Sequence, residues 1–332
     1  MRSRRVWIAA ALTASAAAAA SVVACSSFSN SETPPTTPDA ADDGAPTIDG
    51  TAPADAAAPD AAADAATCDT TKPFDGKALP VSPDGANEVN SGLNDYGAWL
   101  TPDEKRIYFT SMRDGSGIIH LYTASREDRT KPFGTAQQVA LSTHSSTEER
   151  PSLLSDESLL LFGSESTRQL YLGTAAGGFF AVSKAGQLGT GPDSHSEPYL
   201  SDDGELYFVS TSFYKTGIYR AMMARDGGVS APAPVTELNV QLKQNEYPVR
   251  SADGLTLYLA SDRDAGMGEL EIYVTHRKKA GAPWDPPEKL PNVSTVPAGF
   301  DAPNWISPDG CRLYFHSARG DFKNRIYVVS RP

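Results

Sequence analysis

One pattern recurs five times between residue 95 and the C-terminus of this chain. Each copy runs from a polar turn into a strand such as Leu-Tyr-Phe-x-Ser, and then into a strand that carries Ile-Tyr or Leu-Tyr. A repeat of about 50 residues, built from short strands and turns, is typical of the blades of a β-propeller. The sequence therefore predicts an all-β, five-bladed β-propeller. The third turn residues of the copies are Asp103, Glu157, Asp203, Asp253 and Asp309.

The copies also predict how the ring of blades closes. Four of them continue into an outer strand, which tolerates proline because it lies at a sheet edge. The fifth copy has no such strand, and a matching segment, KPFDGKALPV, stands at residues 72–81. We therefore expect this N-terminal strand to complete the last blade and to protect its edge. The predicted propeller spans residues 71–332, with blades at about 91–141, 147–188, 196–238, 245–290, and 300–332 plus 72–81.

Residues 1–25 predict a secretory signal peptide. Three arginines among the first five residues precede an Ala-rich apolar run, which ends at Val22-Val23-Ala24-Cys25. This ending is similar to the bacterial lipobox, in which the cysteine becomes the lipid-modified N-terminus. We therefore expect Cys25 to be lipidated. The alternative is ordinary cleavage near Ala24, with Cys25 unmodified.

Residues 26–70 predict a disordered linker after the signal. They are rich in Ala, Asp, Pro and Thr and carry nine acidic residues but no Lys or Arg. Such a composition buries too little apolar surface to offset the entropy of ordering. Signal and linker together account for half of the formal charge of −12, so the folded part is acidic as well. An acidic domain argues against a nucleic-acid partner.

Two cysteines belong to the predicted propeller or its border, Cys68 and Cys311. Cys311 begins the second strand of the fifth blade, and Cys68 lies just before the segment that completes this blade. Exported proteins form and keep disulfides. We therefore predict a Cys68–Cys311 disulfide that locks the closure of the ring.

The repeat resembles the WD-like β-propeller repeat of the TolB-type family. The resemblance rests on an S-x-D-G turn, a LYF-x-S-x-R strand and a D/E-I-Y strand, and it covers residues 72–332. It implies a β-propeller in the bacterial envelope that binds rather than catalyses. The second and third copies depart from the S-x-R element, which the other three keep at Ser111-Met112-Arg113, Ser261-Asp262-Arg263 and Ser317-Ala318-Arg319.

One set of acids forms a candidate binding site. An acid precedes the innermost strand of each blade, so closure of the ring predicts five carboxylates at one mouth of the channel. Such a ring would attract a cation or a basic peptide. The alternative is that each acid is structural and pairs with the backbone or with the S-x-R arginine of a neighbouring blade. The five acids are Asp95, Glu149, Glu197, Glu246 and Asp301.

The sequence nominates no catalytic residue, metal ligand or cofactor. It contains no nucleophile elbow, phosphate loop or zinc-like spacing, and we expect His316, inside a strand, to be a packed strand residue.

The function expected from these features is binding. We predict a non-catalytic lipoprotein, anchored by its N-terminal lipid at the outer membrane of the bacterial envelope, on the periplasmic or the surface side. Its propeller would be a scaffold for an envelope protein, a peptide or a glycan. The alternative is a glycoside-acting enzyme with paired carboxylates about 5–9.5 Å apart in the channel.

Overall fold

The protein is a five-bladed β-propeller, as its sequence predicts. The computed structural model describes residues 68–143, 147–189, 193–212, 215–264, 269–294 and 300–332. These residues form five antiparallel four-stranded sheets and one short 3₁₀ helix at Gly186–Gly189. The innermost strand of each sheet contacts that of the next, and the fifth contacts the first. The predicted signal peptide, Cys25 and the linker up to residue 67 lie outside the described residues.

The strands are numbered along the chain, beginning with β1 at Leu79–Pro80. Blade 1 contains β2 Asp95–Leu100, β3 Arg106–Ser111, β4 His120–Ser125 and β5 Gln137–Gln138. Blade 2 contains β6 Glu149–Leu153, β7 Leu159–Ser164, β8 Gln169–Ala175 and β9 Phe180–Lys184. Blade 3 contains β10 Ser194–Leu200, β11 Glu205–Ser212, β12 Lys215–Met222 and β13 Ala233–Pro234. Blade 4 contains β14 Asn245–Arg250, β15 Thr256–Ser261, β16 Glu271–His276 and β17 Glu288–Lys289. Blade 5 contains β18 Asp301–Ile306, β19 Arg312–Ser317 and β20 Arg325–Ser330, together with β1. In the described ranges, no helix is long and apolar enough to cross a membrane.

Blade 5 holds both ends of the described chain. β1 pairs antiparallel with β20, and Leu79 lies opposite Val328. Cys68 and Cys311 form a disulfide, as predicted, with their Cα atoms 5.7 Å apart. A native disulfide of this kind typically stabilises a fold by about 2–5 kcal/mol.

The core of each blade is built on one repeated pair of side chains. The second strand places a Phe or Leu, no more than 1% exposed, opposite a Tyr of the third strand. Cross-strand pairs of aromatic and aliphatic side chains stabilise antiparallel sheets. This pair is what the repeated strand pattern encodes: Phe109–Tyr122, Phe162–Tyr171, Phe208–Tyr219, Leu259–Tyr273 and Phe315–Tyr327.

The turn from the first to the second strand has one geometry in all five blades. Its fourth residue has a positive φ, which favours glycine, and three blades have glycine there. In blade 2 this fourth residue is Glu157. The prediction that Glu157 is the third turn residue is therefore wrong by one position, and Asp156 is the third turn residue. The Asp156 carboxylate accepts a hydrogen bond from the Ser158 N–H at 3.0 Å. The positive-φ residues are Glu104, Glu157, Gly204, Gly254 and Gly310.

Glutamate replaces glycine in two of these turns, and in both its carboxylate reaches the preceding blade of the ring. Glu104 accepts from the Tyr314 hydroxyl at 2.7 Å and lies 2.6 Å from Arg312 Nη2 in blade 5. Glu157 accepts from the Tyr108 hydroxyl in blade 1 at 2.6 Å. A non-glycine residue at positive φ costs about 1–3 kcal/mol. These contacts between blades offset that strain.

We expect Glu104→Gly to destabilise the protein although it relieves a positive φ. Glu104 is 2% exposed. Its loss leaves the Tyr314 hydroxyl without its acceptor and leaves Arg312 with only the more exposed Asp309. Breaking a buried ion pair costs about 3–5 kcal/mol, more than the strain released, so the melting temperature should fall by several degrees.

The matched control is Glu157→Gly, which loses the hydrogen bond from Tyr108 and the pair with Arg106, whose side chain is 47% exposed. The hydrogen bond contributes about 0.5–1.5 kcal/mol, and relief of the positive φ offsets this loss. Surface pairs contribute about 0–1 kcal/mol, so thermal denaturation should show little change. Equal losses in the two variants would contradict this account of the seam between blades 1 and 5.

Candidate functional site

The innermost strands of blades 1 to 4 share a bulge. Their register with the second strand shifts at equivalent places, for example between Tyr96 and Trp99 in blade 1. The residue at the bulge has a positive φ in all four blades, at Gly97, Arg150, Glu197 and Tyr247. Strained backbone of this kind often occurs at functional sites.

Three bulge residues, Arg150, Glu197 and Tyr247, meet at the centre of the ring and form a floor across the channel. Arg150 Nη1 lies 3.0 Å from Glu197 Oε1, and Arg150 Nη2 donates to the Tyr247 hydroxyl. The Arg150 guanidinium carbon lies 3.8 Å from the centroid of the Tyr247 ring. The Tyr247 N–H donates to Glu197 Oε2 at 2.7 Å. One carboxylate and one aromatic face therefore hold a cation whose side chain is 16% exposed.

Gly97, the fourth bulge residue, leaves the space that Arg150 needs. A Cβ at this position would lie 3.0 Å from Arg150 Cγ and 3.1 Å from Arg150 Cα. From the same blade, the Thr110 hydroxyl oxygen accepts the Arg150 N–H at 2.8 Å. Blade 1 therefore positions the arginine of blade 2.

On one side of the floor lies a funnel of about 520 Å³. Blades 1 and 5 contribute an aromatic wall, in which the His316 ring lies 5.7 Å from Tyr96 and 5.4 Å from Phe300, between ring centroids. On the other side, the same three floor residues border a small recess of about 30 Å³, which has room for water. The funnel therefore ends at the floor. Blades 2 and 3 contribute a polar wall, which includes Glu149, Ser164, Glu165, Ser194, Ser196 and Thr211.

His316, which lines this funnel, has a buried hydrogen-bond donor without a partner among the described residues. Burial, together with the nearby charge of Arg150, lowers the pKa of His316 well below its ordinary value, so the ring is neutral. Its Nδ1 accepts from the Asn304 amide at 2.8 Å, which places the proton on Nε2. No described residue pairs with that Nε2. A buried polar group without a partner costs about 1–3 kcal/mol, so an acceptor on a ligand would be favoured here.

Three carboxyl groups in and around the funnel have raised pKa values, and desolvation is the main cause in each. The pKa of Glu149 rises to about 7, because repulsion from Glu165 adds to burial and Arg150 only partly opposes it. The pKa of Glu246 rises to about 8, with repulsion from Glu197 as the second cause. The pKa of Glu197 is raised as well, despite its ion pair with Arg150.

The five acids predicted to form one ring occupy three different strand positions. Asp95 and Asp301 are the first residues of β2 and β18 and lie opposite the serines of the S-x-R elements. Glu149 and Glu246 lie one register position further, opposite Gly163 and Ala260 of the second strand, and Glu197 is a bulge residue. Glu149 and Glu197 line the funnel, and Glu246 is close enough to Glu197 to be affected by its charge.

Asp95 and Asp301 belong to a repeated clamp. Each pairs with the S-x-R arginine of its own blade, whereas the structural alternative supposed a neighbouring blade. In blade 4 an asparagine takes the place of the acid, so the clamp needs an acceptor rather than a charge. The Nη2–Oδ1 distances are 3.2 Å for Arg113–Asp95, 3.1 Å for Arg263–Asn245 and 3.1 Å for Arg319–Asp301.

Sequence reasoning missed Arg150 and Tyr247 and treated His316 as a packed residue. One signal was available, because each floor residue directly precedes a proline at the same place in the repeat, in Arg150-Pro151, Glu197-Pro198 and Tyr247-Pro248. The proline identifies a repeated position in the sequence, but it does not show that the side chain before it points into the channel. No group of three or more His, Cys, Asp or Glu side chains in the described part of the chain could hold a metal ion.

Comparison with known proteins supports the fold. No family model matches the sequence, and no curated protein matches it. Among solved structures, an exo-β-1,3-galactanase of Phanerochaete chrysosporium with galactose is 13% identical, with a TM-score of 0.50 over 76% of this chain and 64% of that one.

Two further structures are similar at lower scores. An α-L-arabinofuranosidase of Podospora anserina in complex with cellotriose is 12% identical, with a TM-score of 0.49 over 76% of this chain and 95% of that one. TolB of Acinetobacter baumannii is 18% identical, with a TM-score of 0.39 over 73% of this chain and 55% of that one. At such identities the likeness concerns the fold and does not assign an activity.

We expect the free energy of unfolding to fall as the pH rises from about 5 to about 8, because the pKa values of Glu149 and Glu246 are raised from an ordinary 4.5 to about 7 and about 8. A carboxyl group with a raised pKa in the folded state stabilises the fold below its unfolded pKa. This contribution disappears as the pH passes the folded pKa.

Urea denaturation between pH 5 and pH 8 measures this loss, which should be on the order of 2–4 kcal/mol. The double variant Glu149→Gln/Glu246→Gln should give a flatter profile. An unchanged slope in the variant would show that other groups cause the pH dependence.

Proposed function

We propose that this protein is a non-catalytic binding protein of the bacterial envelope, whose funnel receives the end of a glycan or peptide chain. The observation that carries the proposal is the blind funnel with an unpaired, buried donor at His316. A funnel closed by a floor admits the end of a chain and does not let a chain pass through. Its volume of about 520 Å³ lies within the range of small-ligand sites, about 300–1,000 Å³.

The carboxyl groups at and next to the floor of the funnel support binding rather than hydrolysis. A glycoside hydrolase combines an acid of raised pKa with a second carboxylate that stays ionised. Here the pKa of the floor acid Glu197 and those of its neighbours Glu149 and Glu246 are all shifted upwards. The other acid of the funnel, Glu165, lies in the polar wall beside Glu149. Both oxygens of Glu197 are also engaged, one by Arg150 and one by the Tyr247 N–H. These groups stabilise the floor.

To test the funnel, Ser196→Trp places a large ring in its polar wall, and Ser183→Trp on the exposed outer strand β9 is the matched control. Immobilised full-length protein is equilibrated with a glycan pool and a peptide pool from the bacterial envelope. The wild type and Ser183→Trp should retain one of the pools, and Ser196→Trp at least about tenfold less.

Equal retention by the two tryptophan variants would place binding outside the funnel. Glycans shortened during incubation with the wild type would show hydrolysis, and the glycoside-acting enzyme would then replace the binding protein as the function.

We also propose that the propeller is exported and tethered to the outer membrane by a lipid on Cys25. The signal-like first 25 residues support export, and the Cys68–Cys311 disulfide supports an oxidising compartment. The acidic linker then gives the propeller its reach from the membrane.

Cys25→Ser should move the protein from the membrane fraction to the soluble fraction of the envelope, because it removes the lipidated thiol. Cell fractionation followed by immunoblotting measures this change, and Ser26→Ala is the control. Retention of Cys25→Ser in the membrane fraction would contradict lipid anchoring at this residue.

A further inference from the structure

We infer that the ligand is the uncharged end of a glycan, and that His316 and Phe300 recognise a neutral sugar ring in the funnel. This inference rests on the proposed function and narrows its glycan or peptide ligand to one chemical class. Three features carry it: the internal compensation of charge at the floor, the occupied tyrosine faces, and the unpaired donor beside an aromatic wall.

The charges at the floor are compensated within the protein. Arg150 Nη1 lies 3.0 Å from Glu197 Oε1, and Arg150 Nε lies 3.7 Å from Glu149 Oε2. A charged group that reached the floor would lose its hydration and meet both signs of charge there, because the Arg150 guanidinium lies between Glu197 and Glu149. Burying a charge in this way is costly.

Both ends of a peptide carry such a charge. An N-terminal ammonium group at the floor would be repelled by Arg150, and a C-terminal carboxylate would be repelled by Glu197. The non-reducing end of a neutral glycan presents hydroxyl groups and no charge. Because the funnel is blind, the chemistry of the chain end decides which polymer fits.

The aromatic faces that would attract a cation are already occupied. The Arg150 guanidinium carbon lies 3.8 Å from the Tyr247 ring centroid and 5.6 Å from that of Tyr96. Aromatic groups recognise ammonium ligands through the faces of their rings, and here the protein supplies its own cation. Phe300 lies in the same wall, edge to face with Tyr247 at 5.7 Å, and has no described cation over its ring.

The polar groups of the funnel suit hydroxyl groups on a ligand. His316 Nε2–H can donate to a sugar oxygen, whereas the hydroxyls of Ser194, Ser196 and Thr211 both donate and accept. A sugar ring combines an apolar face of C–H groups with a rim of hydroxyls. Stacking on Phe300 with hydrogen bonds to the polar wall would use both parts of the ring at once.

Isothermal titration calorimetry of the full-length protein with tetrasaccharides tests the inference. The neutral probes are tetramers of N-acetylglucosamine, glucose and galactose, and the charged probes are tetramers of glucosamine, a cation, and of galacturonate, an anion. At least one neutral tetramer should bind. The charged tetramers should bind at least about tenfold more weakly.

Variants locate the binding in the aromatic wall. Phe300→Ala should weaken binding of the neutral tetramer about tenfold, whereas Phe322→Ala, at a phenylalanine that is 81% exposed, should leave it unchanged. His316→Phe keeps a ring in place and removes the donor, and should also weaken binding about tenfold. Thermal denaturation checks that each variant is folded.

Tighter binding of a charged tetramer, or no binding of any neutral one, overturns the sugar assignment. The comparison of Ser196→Trp with Ser183→Trp then decides separately whether the funnel binds a ligand at all. Neutral binding that Phe300→Ala and His316→Phe both leave unchanged would also overturn the assignment, because the sugar would bind elsewhere. Cleavage of a bound tetramer would keep the ligand class but contradict the non-catalytic function.

Discussion

Arg150 is the side chain on which the centre of this propeller depends. It extends from blade 2, is accommodated by Gly97 of blade 1, and is held by Glu197 of blade 3 and Tyr247 of blade 4. Removal of one partner from a buried ion pair leaves an uncompensated charge and costs about 3–5 kcal/mol. This penalty explains why three successive blades keep non-glycine residues at positive φ. The contacts of the floor therefore stabilise blades 1 to 4 against one another, although the chain connects these blades only through loops.

The same arginine gives the channel its functional form. An open channel through a ring has two mouths, and its walls repeat with the blades. Arg150, Glu197 and Tyr247 lie across this channel and divide it. The funnel lies on one side of these residues, and a recess of about 30 Å³ lies on the other. Across the seam between blades 5 and 1, Glu104 pairs with Arg312, and the Tyr96 ring lies 5.7 Å from the His316 ring. Stability and the shape of the site therefore have the same origin.

Much of the fold could be predicted because it is encoded five times. The strand pattern and turns indicate the blades, and the strand missing from the last copy indicates how Cys68 and Cys311 come together. The site could not be predicted in the same way, because a β-bulge changes which residue faces the channel. Glu197 was grouped with Asp95, but the register places the two at different levels of the strand. His316 gave no signal, since nothing in a strand pattern shows that one ring nitrogen lacks a partner.

Residues that repeat from blade to blade stabilise the propeller, whereas the residues proposed to bind a ligand differ between blades. The clamp position carries Asp95, Asn245 or Asp301, and in each case the side chain accepts from an S-x-R arginine of its own blade. The next position along the strand varies around the ring. It is glutamate in blades 2 and 4, at Glu149 and Glu246, but Tyr96 in blade 1, Ser196 in blade 3 and Ala302 in blade 5. A ligand without fivefold symmetry needs different groups around it, and the propeller supplies them where its repeat is broken. The small Ala302 also lies opposite His316 in the sheet, so the donor of the funnel stands beside the smallest side chain at this level.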